Sequence, residues 1–77
     1  MDLKEAGLKW EELHKNWVFA NQEARRMELK NLLHYKAFVE GRGPAPKAED
    51  LARAENLRHL ASEAQAACDE FIRSVLR

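Results

Sequence analysis

Apolar residues recur through the first half of the chain at alternating steps of four and three. The series comprises Leu13, Trp17, Ala20, Ala24, Met27, Asn31, His34 and Phe38, and it extends backward through Leu3, Ala6 and Trp10. This spacing is the a/d seam of a heptad repeat, which keeps one side of an α-helix apolar over many turns. The first half therefore predicts one long amphipathic helix.

The second half of the chain repeats the pattern. Its seam comprises Ala54, Leu57, Ala61, Ala64, Cys68, Phe71 and Val75. Between the two seams lies the segment 41–46, which holds both prolines and two of the three glycines. Gly41 suits the left-handed residue that ends a helix, and Pro46 suits the first turn of the next.

The pattern predicts an all-α fold in a single helical-hairpin domain spanning residues 1–77. Helix 1 covers about residues 2–40, the turn covers 41–46 and helix 2 covers about 47–76. A short connection forces the two helices antiparallel, like a coiled coil. Folding at the centre of the turn sets residue numbers that sum to about 88 opposite each other, so that Trp17 should meet Phe71. A second interpretation places a break at Asn16, which would cap a helix starting at Trp17 and give a three-helix bundle.

Helix 1 carries more apolar surface than helix 2 can cover. Val18, Leu29 and Leu32 widen its stripe, and Phe19 and Leu33 project from the side opposite Trp17. A two-helix hairpin has one layer of contact, so a dimer of hairpins that forms a four-helix bundle would stabilise it. We expect a homodimer or a complex with another helical protein, with its interface at Trp10, Trp17, Phe19, Leu29 and Leu33.

Three polar residues fall on or beside the apolar stripe of helix 1. They are Glu28, Asn31 and His34. The predicted register brings Glu28 near His59 and Asn31 near Asn56. Single polar seam residues fix register and oligomer state in coiled coils, at a cost in stability. The alternative is that these side chains reach solvent at the edge of the groove.

Catalytic and metal chemistry find little support in the sequence. His14, His34 and His59 have no helical spacing of three or four residues among them, so they do not predict a metal site. A slim hairpin offers no pocket of the size that small ligands require. We expect no catalytic residues, no cofactor and no bound metal, and so no enzyme.

Charge and composition bear on partners and location. Lys plus Arg and Asp plus Glu number 13 each, so no bulk attraction toward nucleic acid exists. The face formed by Arg25, Arg26 and Lys30 is the basis of the alternative function, an RNA- or DNA-binding hairpin dimer. The single cysteine, Cys68, fits a reducing compartment, and no stretch approaches the 18 apolar residues of a membrane span. The sequence thus favours a cytoplasmic, non-enzymatic protein–protein interaction module such as a small adaptor, regulator or assembly factor.

Overall fold

The computed structural model describes residues 2–77 as two antiparallel helices. Helix α1 spans Leu3–Val39 and helix α2 spans Ala48–Leu76. The helices pack along their length into a rod of 58 × 15 × 15 Å. The all-α hairpin is confirmed, and α1 runs without a break through Asn16, so the three-helix alternative is wrong.

Local hydrogen bonds define both ends of α1. The Asp2 carboxylate accepts a hydrogen bond of 2.7 Å from the Glu5 backbone N–H, which satisfies a donor that the first turn leaves free. At the other end, Gly41 has φ of 75°. Its N–H donates to the Phe38 carbonyl at 3.0 Å and the Arg42 N–H donates to the Ala37 carbonyl at 2.7 Å. These two bonds form a Schellman motif, which ends the helix and turns the chain back at once.

The chain after Gly41 bends at residues 42 and 43 and returns along the last turns of α1. Gly43 lies beside Ala37, whose Cβ would be 3.9 Å from a Cβ placed on the glycine. Lys47, the residue before α2, still has extended backbone angles. Residues 44–47 run back along α1 without helical structure before α2 begins, and a non-helical residue can advance up to about 3.3 Å against about 1.5 Å in a helix.

The predicted register is therefore wrong by about one heptad. Facing residues have numbers that sum to about 81, as for Asn31 and Asp50, because α2 begins one heptad further back along α1 than a central turn would allow. Trp17 thus lies beside Gln65 and Cys68 and not opposite Phe71. The heptad seam could not reveal this shift, since a seam that repeats every seven residues matches equally well in both registers.

Small side chains form the contact between the helices. The buried residues are Ala6, Ala24, Asn31, Ala54, Ala61 and Cys68. Within residues 2–77 no large side chain is fully buried. Small seam residues let two helices approach closely, but they remove little apolar surface from water.

Candidate interaction surfaces

Three aromatic side chains stack along one side of α1. The Trp10 and His14 rings lie 4.6 Å apart between centroids at an interplanar angle of 14°, and the His14 and Trp17 rings lie 5.8 Å apart at 41°. Steps of four and three residues place these rings on successive turns of one helix face. Their stacking follows directly from the helical spacing.

The aromatic stack lies where α1 meets α2. A shallow groove is lined by Trp10, His14 and Trp17 from α1 and by Gln65, Cys68, Asp69 and Ile72 from α2. Trp17 and His14 are half-buried, whereas Trp10 is 37% exposed. The two tryptophans therefore cover one side of the interhelix groove and do not lie on the outer face of α1.

Phe19, Leu29 and Leu33 form a separate surface, which we call the outer stripe. Their exposed fractions are 65%, 55% and 55%. Phe19 and Leu29 each lie five residues from the buried Ala24, which is about 140° around the helix. The five residues predicted as one interface thus divide into two tryptophans beside α2 and three side chains on the side that faces away from it.

A polar network crosses between the helices next to the aromatic stack. The Arg58 guanidinium donates to both Glu28 carboxylate oxygens, at 3.0 Å and 2.6 Å, and to the Asn21 side-chain oxygen at 2.8 Å. The paired hydrogen bonds and the charge of Arg58 lower the pKa of Glu28, with the charge of Arg25 adding to the effect and desolvation opposing it. Asn21 lies seven residues after His14 and seven before Glu28, so the network shares the side of the aromatic stack. We call this side the ladder flank.

Asn31 ties α1 to the first turn of α2. Its side-chain nitrogen donates to the Asp50 carbonyl at 3.0 Å, and its buried oxygen has no hydrogen-bond partner among the residues described. Lys30 adds a 3.9 Å ion pair with the Asp50 carboxylate. The predicted neighbour of Asn31, Asn56, is wrong by six residues, whereas Glu28 contacts Arg58, which is next in sequence to its predicted neighbour His59.

His34, the third predicted register-setting residue, is exposed. It lies level with Lys47, before α2 has begun, because the connection between the helices occupies that level. Arg58 and Asp50, which make the cross-links, were missed by sequence reasoning. Only their position opposite Asn21, Glu28 and Asn31 could have identified them from the sequence, and that position depends on the register.

The basic residues of α1 do not form one uninterrupted patch. Arg26 pairs with Glu23 at 3.2 Å, and Lys30 pairs with Asp50. Arg25 lies on the other side of the helix, where its charge acts on Glu28. Arg26 and Lys30 do line a shallow groove together with Arg53 of α2.

Metal-ligand clusters and membrane-spanning helices are absent from residues 2–77. In the described part of the chain no three His, Cys, Asp or Glu side chains come together as a metal ion would require. His59 lies 2.9 Å from Glu63 across one helical turn. Neither described helix contains an apolar stretch long enough to cross a bilayer.

No protein-family model matches this chain, and comparisons with curated proteins and with solved structures also find no match.

Proposed function

We propose that this chain is a non-enzymatic protein–protein interaction module that self-associates as a homodimer and serves as a small adaptor, regulator or assembly factor. The observation that carries the proposal is the mismatch between a core of alanines and a surface with many large apolar side chains. Phe19, Leu29 and Leu33 alone expose more than half of their surface each. Their burial against further helices would supply the free energy that one layer of alanine contacts lacks.

Two features support association through α1. The outer stripe offers three large apolar side chains on one side of the helix. The ladder flank offers two tryptophans, a residue type that dominates association energy when a partner covers it. The single cysteine, with no second thiol in the chain, is the basis for proposing a cytoplasmic location.

Substitution of Phe19 by Asp tests the outer stripe. A carboxylate cannot be buried there without a cation, so an interface at this position would be lost. The measurement is sedimentation equilibrium of the full chain over a range of concentrations, with Asn56→Asp as the matched control. Asn56 is exposed on α2, five residues from the buried Ala61, so the control adds the same charge outside the outer stripe.

The outcomes distinguish the versions of this proposal. A wild-type dimer that Phe19→Asp converts to monomer supports self-association through the outer stripe. An unchanged dimer assigns the outer stripe to other partners and self-association to another face. A wild-type chain that stays monomeric at every concentration contradicts the homodimer.

Nucleic-acid binding is the second candidate, and one observation favours it: Arg26 and Lys30 of α1 line a common groove with Arg53 of α2. Glu23 and Asp50 hold two of these cations in ion pairs. Binding through phosphates would weaken steeply as salt increases. A gel-shift assay with mixed RNA and DNA at low and moderate salt, using Arg26→Gln with Lys30→Gln as the comparison, tests it. Lack of any salt-sensitive retention removes this candidate.

A further inference from the structure

A single line of residues runs along the ladder flank of α1 at intervals of exactly one heptad. Its members are Gly7, His14, Asn21, Glu28 and Tyr35. Asn21 stands at the middle of the line and also at the middle of α1, which spans Leu3–Val39. Residues at equal distances before and after Asn21 form pairs whose side chains suit contact with each other.

We propose that a second copy of this chain docks on the ladder flank, with its α1 antiparallel to the first α1 and the two-fold axis passing beside Asn21. The inference rests on the proposed self-association and assigns it a face and a register. Residue numbers that sum to 42 then face each other between copies, because the axis lies at residue 21. The outer stripe remains free on the far side of each α1.

Hydrogen-bond complementarity supports this register. Each His14 faces Glu28 of the second copy, and each Glu28 faces His14, so two such pairs flank the axis. Glu28 already accepts from Arg58, and each of its carboxylate oxygens can accept a further hydrogen bond. At the axis, Asn21 meets its own copy, and an amide both donates and accepts, so the pair is self-complementary.

Gly7 supplies an independent observation. It lies within α1, where glycine weakens a helix, and a Cβ placed on it would meet nothing within 4 Å. The hairpin therefore gives no reason for a glycine at this position. In the proposed dimer Gly7 faces Tyr35 of the second copy, a residue that is 57% exposed in the hairpin. A glycine opposite a tyrosine lets the ring lie flat against the helix backbone.

The residues beside this line follow the same rule. Trp10 faces Leu32 of the second copy and Leu3 faces Val39, so apolar residues meet at both ends of the contact. Trp17 faces Arg25, a cation above an indole ring, which is a favourable pairing. On α2, Leu51 and Ile72 border the ladder flank and are 48% and 39% exposed. Leu51 lies on the turn side of the two-fold axis and Ile72 on the open side, so Leu51 of one copy would lie near Ile72 of the other.

Disulfide trapping tests the position of the axis. In a Cys68→Ala background, Asn21→Cys places two thiols against each other at the axis, so mild oxidation should convert most of the chain to a covalent dimer. Phe19→Cys is the matched control, since it lies two residues away on the opposite side of α1 and should stay uncrosslinked at the same concentration. Mixing His14→Cys with Glu28→Cys should give the mixed dimer in preference to either homodimer.

The trapping result separates this inference from the proposed function. Crosslinking through Phe19→Cys but not Asn21→Cys keeps the homodimer and overturns the ladder flank as its interface. Crosslinking at neither position, in a chain that sediments as a monomer, overturns both. Circular dichroism of each variant confirms that the helices are intact before oxidation.

Gly7→Ala gives a second test that needs no oxidation. Helix propensity alone would make the variant more helical and its dimer at least as stable as that of the wild type. A Tyr35 ring packed on Gly7 would instead be displaced, and we expect the dimer dissociation constant to rise about tenfold, as overpacking at a close contact does. A dissociation constant equal to or below that of the wild type overturns the inference.

Discussion

The turn half and the open half of this hairpin are held together by different chemistry. Between residues 21–31 of α1 and 50–58 of α2, Arg58, Asn31 and Lys30 make polar contacts across the helices. Between residues 3–17 and 65–76, the contacts that the structure describes are apolar and aromatic, centred on Trp17 and Cys68. The turn half has directional contacts to particular polar partners, and the open half has contacts that any apolar neighbour could make.

This difference indicates which half specifies the structure. An apolar seam with a seven-residue period fits two registers equally well, whereas Asn31 reaches the Asp50 carbonyl in only one of them. Net stabilisation by such hydrogen bonds is about 1 kcal/mol each. The turn half therefore sets which residues meet, and the open half supplies apolar burial.

Trp17→Ala should have the largest effect on this comparison. Removing a half-buried indole from the open half should lower the free energy of unfolding by about 2–3 kcal/mol, somewhat less than for a fully buried aromatic residue. Hydrogen exchange should show the loss of protection concentrated in residues 3–17 and 65–76. Chemical denaturation at low protein concentration measures the total.

Phe19→Ala is the control for this prediction, because Phe19 lies two residues away and is 65% exposed. At the same low concentration its effect should stay within about 0.5 kcal/mol. Equal losses for the two variants would contradict the assignment of Trp17 to the interhelix groove.

Asn31→Leu should change stability by about 1 kcal/mol or less, in either direction. It removes the hydrogen bond to the Asp50 carbonyl, but it also removes a buried oxygen that has no partner. The larger expected change is in uniqueness: the shifted register becomes accessible, so the melting transition broadens and the oligomer size changes. Thermal unfolding with light scattering measures both.

His34→Leu is the matched control, one helical turn along and exposed. It should leave the width of the transition and the oligomer size as they are in the wild type. If Asn31→Leu also leaves both unchanged, Asn31 does not fix the register.

Glu28→Gln should have the smallest effect and a defined pH dependence. Because Arg58 lowers the pKa of Glu28 in the folded chain, ionised Glu28 stabilises the fold. That contribution is complete above the unfolded-state pKa of about 4.3 and is lost as pH falls through the lower folded-state pKa. For an exposed pair it should amount to about 0.5 kcal/mol at neutral pH.

Urea denaturation of wild type and Glu28→Gln between neutral pH and pH 3 measures this difference. In an Arg58→Met background the same substitution should give no such pH-dependent difference. A wild-type advantage that persists unchanged at pH 3 would show that the ionised carboxylate is not its source.

Much of the fold could be predicted from the sequence because its signals are local. The alternation of four and three residues through Trp17 and Ala24 specifies an amphipathic helix. Gly41 is required where φ is positive, and it ends α1 within a residue of the expected place. The predicted helices, about 2–40 and 47–76, correspond to Leu3–Val39 and Ala48–Leu76.

The register and the composition of the surfaces could not be predicted, because they depend on the path of the connection. The non-helical residues between Gly41 and Ala48 place the start of α2 one heptad further back along α1, and no periodicity in the sequence reports that distance. The shift gives Asn31 the partner Asp50, leaves His34 exposed and brings Trp17 beside Cys68. The division of the predicted interface has a different cause, the helical geometry of α1, since Phe19 and Leu33 project from the side opposite Trp17.

The positions of the polar cross-links also bear on how the hairpin folds. Asn31 and Asp50 are separated by 19 residues along the chain, and Asn21 and Arg58 by 37. Because the entropy cost of closing a loop grows with its length, contacts beside the turn form at the lowest cost and the rest can close in sequence from there. The correct register would then be established while the helices are still separate in the open half, which holds Trp10 and Trp17. A chain whose helices first pair in the wrong register would have to separate them again before they could pair in the correct one.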